Sequence, residues 1–215
     1  MNMNTKKITT VGILCAMAMI INLLISFPMV PAASFLRYDP KDIVIIIGGY
    51  IYGPMTVVVM SAITSILEIM LKGGTWIDVL MNMISTCTFG CMACYVYKKM
   101  HSRKGAIIGL AAGTVLCVIS MLIWNYIVTP IYYQMPRSAV VAILLPGILP
   151  FNVLKCVMNA VVTMLLYKPL VGAFRHSGLV ESSKHVYQTS KGFILISAFI
   201  LVTIICIILA FQGVL

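Results

Sequence analysis

Asn152, Lys155 and Asn159 are spaced three and four residues apart within an apolar stretch, so a helix places them on one face. Asn125 stands near the end of an earlier apolar run, just before Thr129-Pro130. A carboxamide offers one acceptor and two donors, and so can match an amide or imide edge in both directions. A lysine ammonium adds three donors for carbonyl or hydroxyl oxygens. Together these groups suit a planar, polar, uncharged ligand. Their structural role would be hydrogen bonding between helices or, for Lys155, snorkelling toward an interface. For a single asparagine the two roles are balanced, whereas Asn152 and Lys155 on one face favour a ligand. Pro150 precedes Lys155 by five residues, which puts the lysine within about 8 Å of the expected helix start at 1.5 Å per residue. A lysine there can reach an outward-facing cavity and stay charged.

The elements that must position these groups follow from composition. Of the 215 residues, 61% are hydrophobic and only 9% charged. A water-facing surface needs roughly a quarter charged residues, so the solvent of this chain is lipid. Seven apolar runs are expected as helices: Ile8–Phe27, Ile43–Tyr52, Met55–Leu71, Trp76–Tyr97, Gly105–Val128, Val140–Tyr167 and Phe193–Phe211. The second is too short to cross alone, and Gly53-Pro54 separates it from the third. It is expected as a short tilted helix whose ends are satisfied by protein. Pro146 and Pro150 interrupt the sixth, whose helix should start near Pro150. The first run follows Lys6 and Lys7 as a signal peptide would. It carries no A-x-A-like cleavage site beyond a weak Pro31–Ala33, and reads as a retained helix.

The net charge of +10 does not point to nucleic acid, because the basic residues lie between apolar runs. With the N-terminus in the cytoplasm, ten Lys and Arg fall on the inner side and four outside (Arg37, Lys41, Lys72 and Arg137). The reversed arrangement would violate the positive-inside rule. Three loops then face outward, 28–42, 72–75 and 129–139, carrying aromatic residues together with Asp39, Asp42 and Arg137. Such a cluster is either an interfacial belt or the rim of a binding site.

Other motifs speak for packing or for absence. Gly105, Gly109 and Gly113 recur every fourth residue and permit close helix approach. Gly12 and Ala16 form a small-x-x-x-small pair on the first helix, suited to internal packing or to a partner. Cys87, Cys91 and Cys94 share a helix face, but with no histidine or carboxylate beside them they read as small apolar filler. No phosphate-binding loop, H-E-x-x-H or G-x-S-x-G occurs. His101, His176 and His185 all lie in inner loops, so an enzyme lacks a nucleophile–base pair within the membrane. Four carboxylates, Asp39, Asp42, Glu68 and Asp78, sit at the outer side, which gives little support for a proton relay.

The stretch Phe35-Leu36-Arg37-Tyr38-Asp39-Pro40-Lys41-Asp42-Ile43, followed by Gly48-Gly49-Tyr50 and Gly53-Pro54, resembles the first loop and second helix of S components of energy-coupling factor (ECF) vitamin transporters. Asn125 with Thr129-Pro130-Ile131-Tyr132, then Pro150-Phe151-Asn152-Val153-Leu154-Lys155, is similar to their riboflavin-specific branch. The likeness covers roughly residues 8–170. It implies an all-α membrane protein, a six-helix S-component bundle with a short second helix, plus one additional C-terminal transmembrane helix. The domains expected are 1–170 for substrate binding, 171–191 as a basic cytoplasmic linker, and 192–215 as the additional helix.

The resemblance further implies capture of riboflavin from outside, with no cofactor. Ligand contacts fall to Asn125, Asn152, Lys155 and Asn82, with Leu36, Tyr38 and Asp39 in a closing first loop. Implied partners are a transmembrane coupling protein, docked at Gly12 and Ala16, and two ATPase subunits in a bacterial cell membrane. This chain departs from the pattern at Val44, where proline is frequent, at Gly12 for the usual alanine, and in its seventh span. Alternatives are an S component for another flat heterocycle or a phosphorylated flavin, which would draw on Arg37, Lys41 and Arg137, and a membrane scaffold without ligand.

Overall fold

A computed structural model describes residues 3–180 and 191–213. It contains eight α-helices: α1 (Met3–Leu24), α2 (Lys41–Tyr52), α3 (Pro54–Lys72), α4 (Trp76–Met100), α5 (Arg103–Tyr132), α6 (Arg137–Ile143), α7 (Leu149–His176) and α8 (Lys191–Phe211). Six helical segments are long and apolar enough to cross a membrane, with Arg137–His176 taken as one. The seven runs read from hydropathy are therefore the helices of the bundle. Of the expected linker, residues up to His176 belong to α7 and residues 181–190 lie outside the described part.

The two prolines of the sixth run shape its start. Pro146 lies in a wide π turn, Leu144–Ile148, which joins α6 to α7. The looser turn relieves the clash of the proline ring with the preceding carbonyl. Pro150 falls in the first turn of α7, where its missing N–H has no intrahelical partner to lose.

The short second helix forms the centre of the bundle. At twelve residues, α2 is about 18 Å long, well short of a bilayer's hydrocarbon thickness. Every residue from Lys41 to Tyr50 is buried, against α1, α3, α4 and α7. Lipid cannot satisfy the ends of so short a helix, and enclosure by neighbours does so instead. Gly53 then turns the chain at φ +97°, a conformation glycine adopts without penalty, and Pro54 opens α3.

The glycine row on α5 packs against α4. A Cβ at Gly109 would lie 2.6 Å from the Ala93 carbonyl oxygen, and one at Gly113 2.4 Å from that of Phe89. Helix backbones thus touch directly, as small residues allow in lipid. Leu14 and Ala18 of α1, Ile45 and Ile46 of α2, Val57 and Met60 of α3, and Phe89 of α4 fill the core between them.

Candidate functional site

One end of the bundle holds a cavity of about 290 Å³, near the lower end of the roughly 300–1,000 Å³ of small-molecule sites. Its walls come from distant parts of the chain: Leu36, Tyr38 and Asp39 of the first loop, Glu68 of α3, Asn82 and Ser85 of α4, and Asn152 and Lys155 of α7. Met81, Met121 and Phe151 give it apolar surface, while Tyr132, Tyr133 and Asp78 stand at the loop side.

The first loop reaches the cavity because it folds back on itself. The Tyr38 N–H donates to the Phe27 carbonyl at 2.8 Å, and Pro28 pairs with Arg37 in an isolated antiparallel bridge. The ring of Phe35 sits 5.1 Å from that of Tyr133, tying the loop to the end of α5. Tyr38 turns inward, its hydroxyl donating to Asn159 Oδ1 at 2.7 Å.

Beneath the cavity lies a charge network that no stretch of sequence displays by itself. Lys155 Nζ is 3.3 Å from Asp42 Oδ2, 4.0 Å from Asp39 Oδ2 and 3.4 Å from Ser85 Oγ. Asp42 also accepts from Thr86 Oγ1 at 2.6 Å. Lys41 is wholly buried, bonded to Asp39 at 2.9 Å and to Glu68. Glu68 accepts further from Asn22, Lys72 and Asn82 at 2.9, 3.1 and 3.3 Å. Buried charges are stable only when paired and hydrogen-bonded, and each of these is. Burial nonetheless pushes the Asp39 carboxyl up from its ordinary range, against the pull of Lys41 and Lys155.

The expected ligand residues separate into two groups. Asn82, Asn152, Lys155, Leu36, Tyr38 and Asp39 all line the cavity. Asn125 does not: its amide donates to Met121 O at 2.8 Å and accepts from Thr129 Oγ1 at 2.9 Å. It stands behind the wall, committed to its own helix. Asn152 donates to Ile148 O at 2.8 Å, one bond of the several its carboxamide can make. Lys155 does not snorkel, being held inward by the carboxylates. Lys41, expected at the mouth as a free cation, is an interior ion-pair partner, and Arg137 lies 5.9 Å from the ring of Tyr126.

Sequence reasoning missed Asn22, Ser85 and Thr86 as partners, and Glu68 and Asp42 as network members. The signal available was the concentration of four of the five acidic residues at one side of the membrane. On α1, Gly12 and Ala16 are exposed, and a Cβ at Gly12 meets nothing within 4 Å.

Fold and site together define a polytopic α-helical membrane protein with a polar chamber at one end of its bundle. Residues 6–167 match the family model described as ECF transporter, substrate-specific component, and the chain belongs to that family of transport proteins. It is 30% identical over 175 residues to a riboflavin transporter, FmnP, of Bacillus subtilis, covering 77% of this chain and 92% of that one. To the riboflavin transporter RibU of Streptococcus thermophilus it is 29% identical, covering 78% and 83%. A solved S component of a bacterial ECF transporter superposes with a TM-score of 0.70 at 26% identity, covering 80% of this chain and 99% of that chain. The chain is thus a transporter component and not an enzyme.

Proposed function

We propose that this S component captures riboflavin at the outer face of a bacterial cell membrane and delivers it to ATP-driven partner subunits. The observation that carries the reading is the cavity itself. It gathers Asn82, Asn152 and Lys155 from two helices beneath the loop bearing Leu36, Tyr38 and Asp39, in a chain similar along most of its length to riboflavin transporters. Carboxamides from α4 and α7 suit the imide edge of a flavin ring, and Met81, Met121 and Phe151 suit its faces. Lys155 supplies donors to ring or ribityl oxygens from a position fixed by Asp42 and Asp39. Asn125 acts indirectly, by anchoring the turn of α5 that presents Met121.

The same reading assigns residues 1–170 to substrate binding, places the N-terminus in the cytoplasm, and makes the exposed Gly12–Ala16 face of α1 the dock for a transmembrane coupling protein served by two ATPases. Small residues there let a partner helix approach closely. Fluorescence titration of the purified, ligand-free chain tests the binding step. Saturable quenching near one flavin per chain is expected, and a folded preparation that leaves flavin fluorescence unchanged would remove riboflavin as the ligand.

A further inference from the structure

The last helix lies beyond the family match, which ends at residue 167. It is nevertheless fastened at both ends of the bundle. Near its start, the guanidinium of Arg103 lies 3.7 Å over the ring of Phe193. At its end, Gln212 Nε2 donates to the Pro28 carbonyl at 2.9 Å. Between these points Ile204 and Ile208 are 4% and 5% exposed, in an apolar cluster with Met29, Val30 and Tyr38 of the first loop and Phe151 and Met158 of α7, the helix α8 packs against. The outer face of α8 has no such role, since Phe199 is 73% exposed.

Residues 28–30 form one limb of the first loop, and Leu36, Tyr38 and Asp39 on the other limb face the cavity. The Tyr38–Phe27 hydrogen bond and the Pro28–Arg37 bridge join the two limbs. A helix that grips the outer limb therefore fixes the limb that faces the ligand. We infer that α8 is a positioning element, which through Ile204, Ile208 and Gln212 holds the first loop closed over the cavity and slows ligand release. The inference rests on the first loop closing over a bound flavin, as proposed above. Loops open locally when few contacts hold them, and their opening often limits release.

The test uses full-length variants: Gln212→Leu, the double variant Ile204→Ala/Ile208→Ala, Gln212→Arg, which keeps a donor, and Phe199→Ala on the opposite face. Two quantities are read: riboflavin dissociation in a stopped-flow chase, and hydrogen exchange of the Tyr38 amide in the ligand-free chain. Losing one hydrogen bond or two apolar contacts should accelerate both by about threefold to tenfold. Gln212→Arg and Phe199→Ala should stay near the parent. Unchanged dissociation and exchange in Gln212→Leu and in the double variant would overturn the inference, even if thermal stability fell, because that result would leave α8 a mere packing helix. The exchange measurement needs no ligand. A parent that fails to bind flavin, with loop exchange still accelerated in the variants, would therefore refute riboflavin as ligand and leave the positioning role of α8 standing; protected loops in all variants would refute the positioning role.

Discussion

The ammonium of Lys155 on α7 lies 3.3 Å from a carboxylate oxygen of Asp42 on α2, and this contact joins the site to the fold. Asp42 is buried and its other oxygen is taken by Thr86 of α4. One ion pair thus unites three helices under the cavity floor. The lysine that lines the cavity is also the counterion that lets α2 begin inside the protein.

Replacing that lysine has a structural cost apart from any ligand. Lys155→Met leaves Asp42 without its cation, which in buried pairs destabilises by about 3–5 kcal/mol. Thermal unfolding in detergent should show a large drop for Lys155→Met. Adding Asp42→Asn to the same chain should recover much of it. An additive double variant would mean the two groups do not act as a pair.

Asn152 should behave differently. Its side-chain hydrogen bond runs to the Ile148 carbonyl within its own helix, so Asn152→Ala leaves no partner stranded on another helix. Melting temperature should change little, while riboflavin affinity falls by about 1–3 kcal/mol, the usual cost of an unpaired buried polar group. Quenching titrations of Asn152→Ala and Lys155→Ala, scaled to the folded fraction, check both sites. Parental affinity in both would show that the ligand sits elsewhere.

Glycines on two faces of the bundle should give opposite phenotypes. At Gly113 a Cβ would meet the Phe89 backbone oxygen at 2.4 Å, and a backbone atom cannot rotate aside. Gly113→Val should therefore force α4 and α5 apart and lower thermal stability. A Cβ added at Gly12 meets nothing within 4 Å, so Gly12→Val should leave stability and flavin affinity intact. It should instead abolish co-purification with the coupling protein and uptake in cells, if α1 is the docking face.

The choice between riboflavin and its phosphate turns on free cations at the cavity. Arg37 is engaged with Ser26 through bonds of 3.1 and 2.6 Å, and Lys72 with Glu68 and the Asn22 carbonyl. Lys72 is thus neutralised by a carboxylate, while Arg37, bonded only to neutral groups, is the single cavity-lining cation without a carboxylate partner among the described residues, one charge against the roughly two of a phosphate. Affinity for riboflavin should thus be nearly independent of salt and exceed that for the phosphorylated form. A phosphate preference that weakens as salt rises would reverse the assignment, since screening acts on charge pairs.

What the sequence by itself determined was everything that follows from solvent and period. An apolar content of 61% with 9% charge required lipid, and the lengths of the apolar runs located the helices. The three- and four-residue spacing of Asn152, Lys155 and Asn159 put them on one face, and the glycine row of α5 foretold a close approach. These properties are local, so they can be read without knowing what lies opposite. Tertiary structure alone decided the partners. Asp39, Asp42 and Glu68 are read from sequence as outer-side carboxylates, yet they are the counterions of Lys41 and Lys155, over a hundred positions away in the case of Lys155. Asn125 and Asn152 both bond a backbone carbonyl one turn earlier in their own helices, yet only Asn152 lines the cavity. From sequence the last helix is an additional span with no stated partner, and the Gln212 bond to the Pro28 carbonyl ties it to the first loop. Hydrophobic period fixes which side of a helix is buried, but not which residue it meets, because that depends on how every helix rotates and crosses its neighbours.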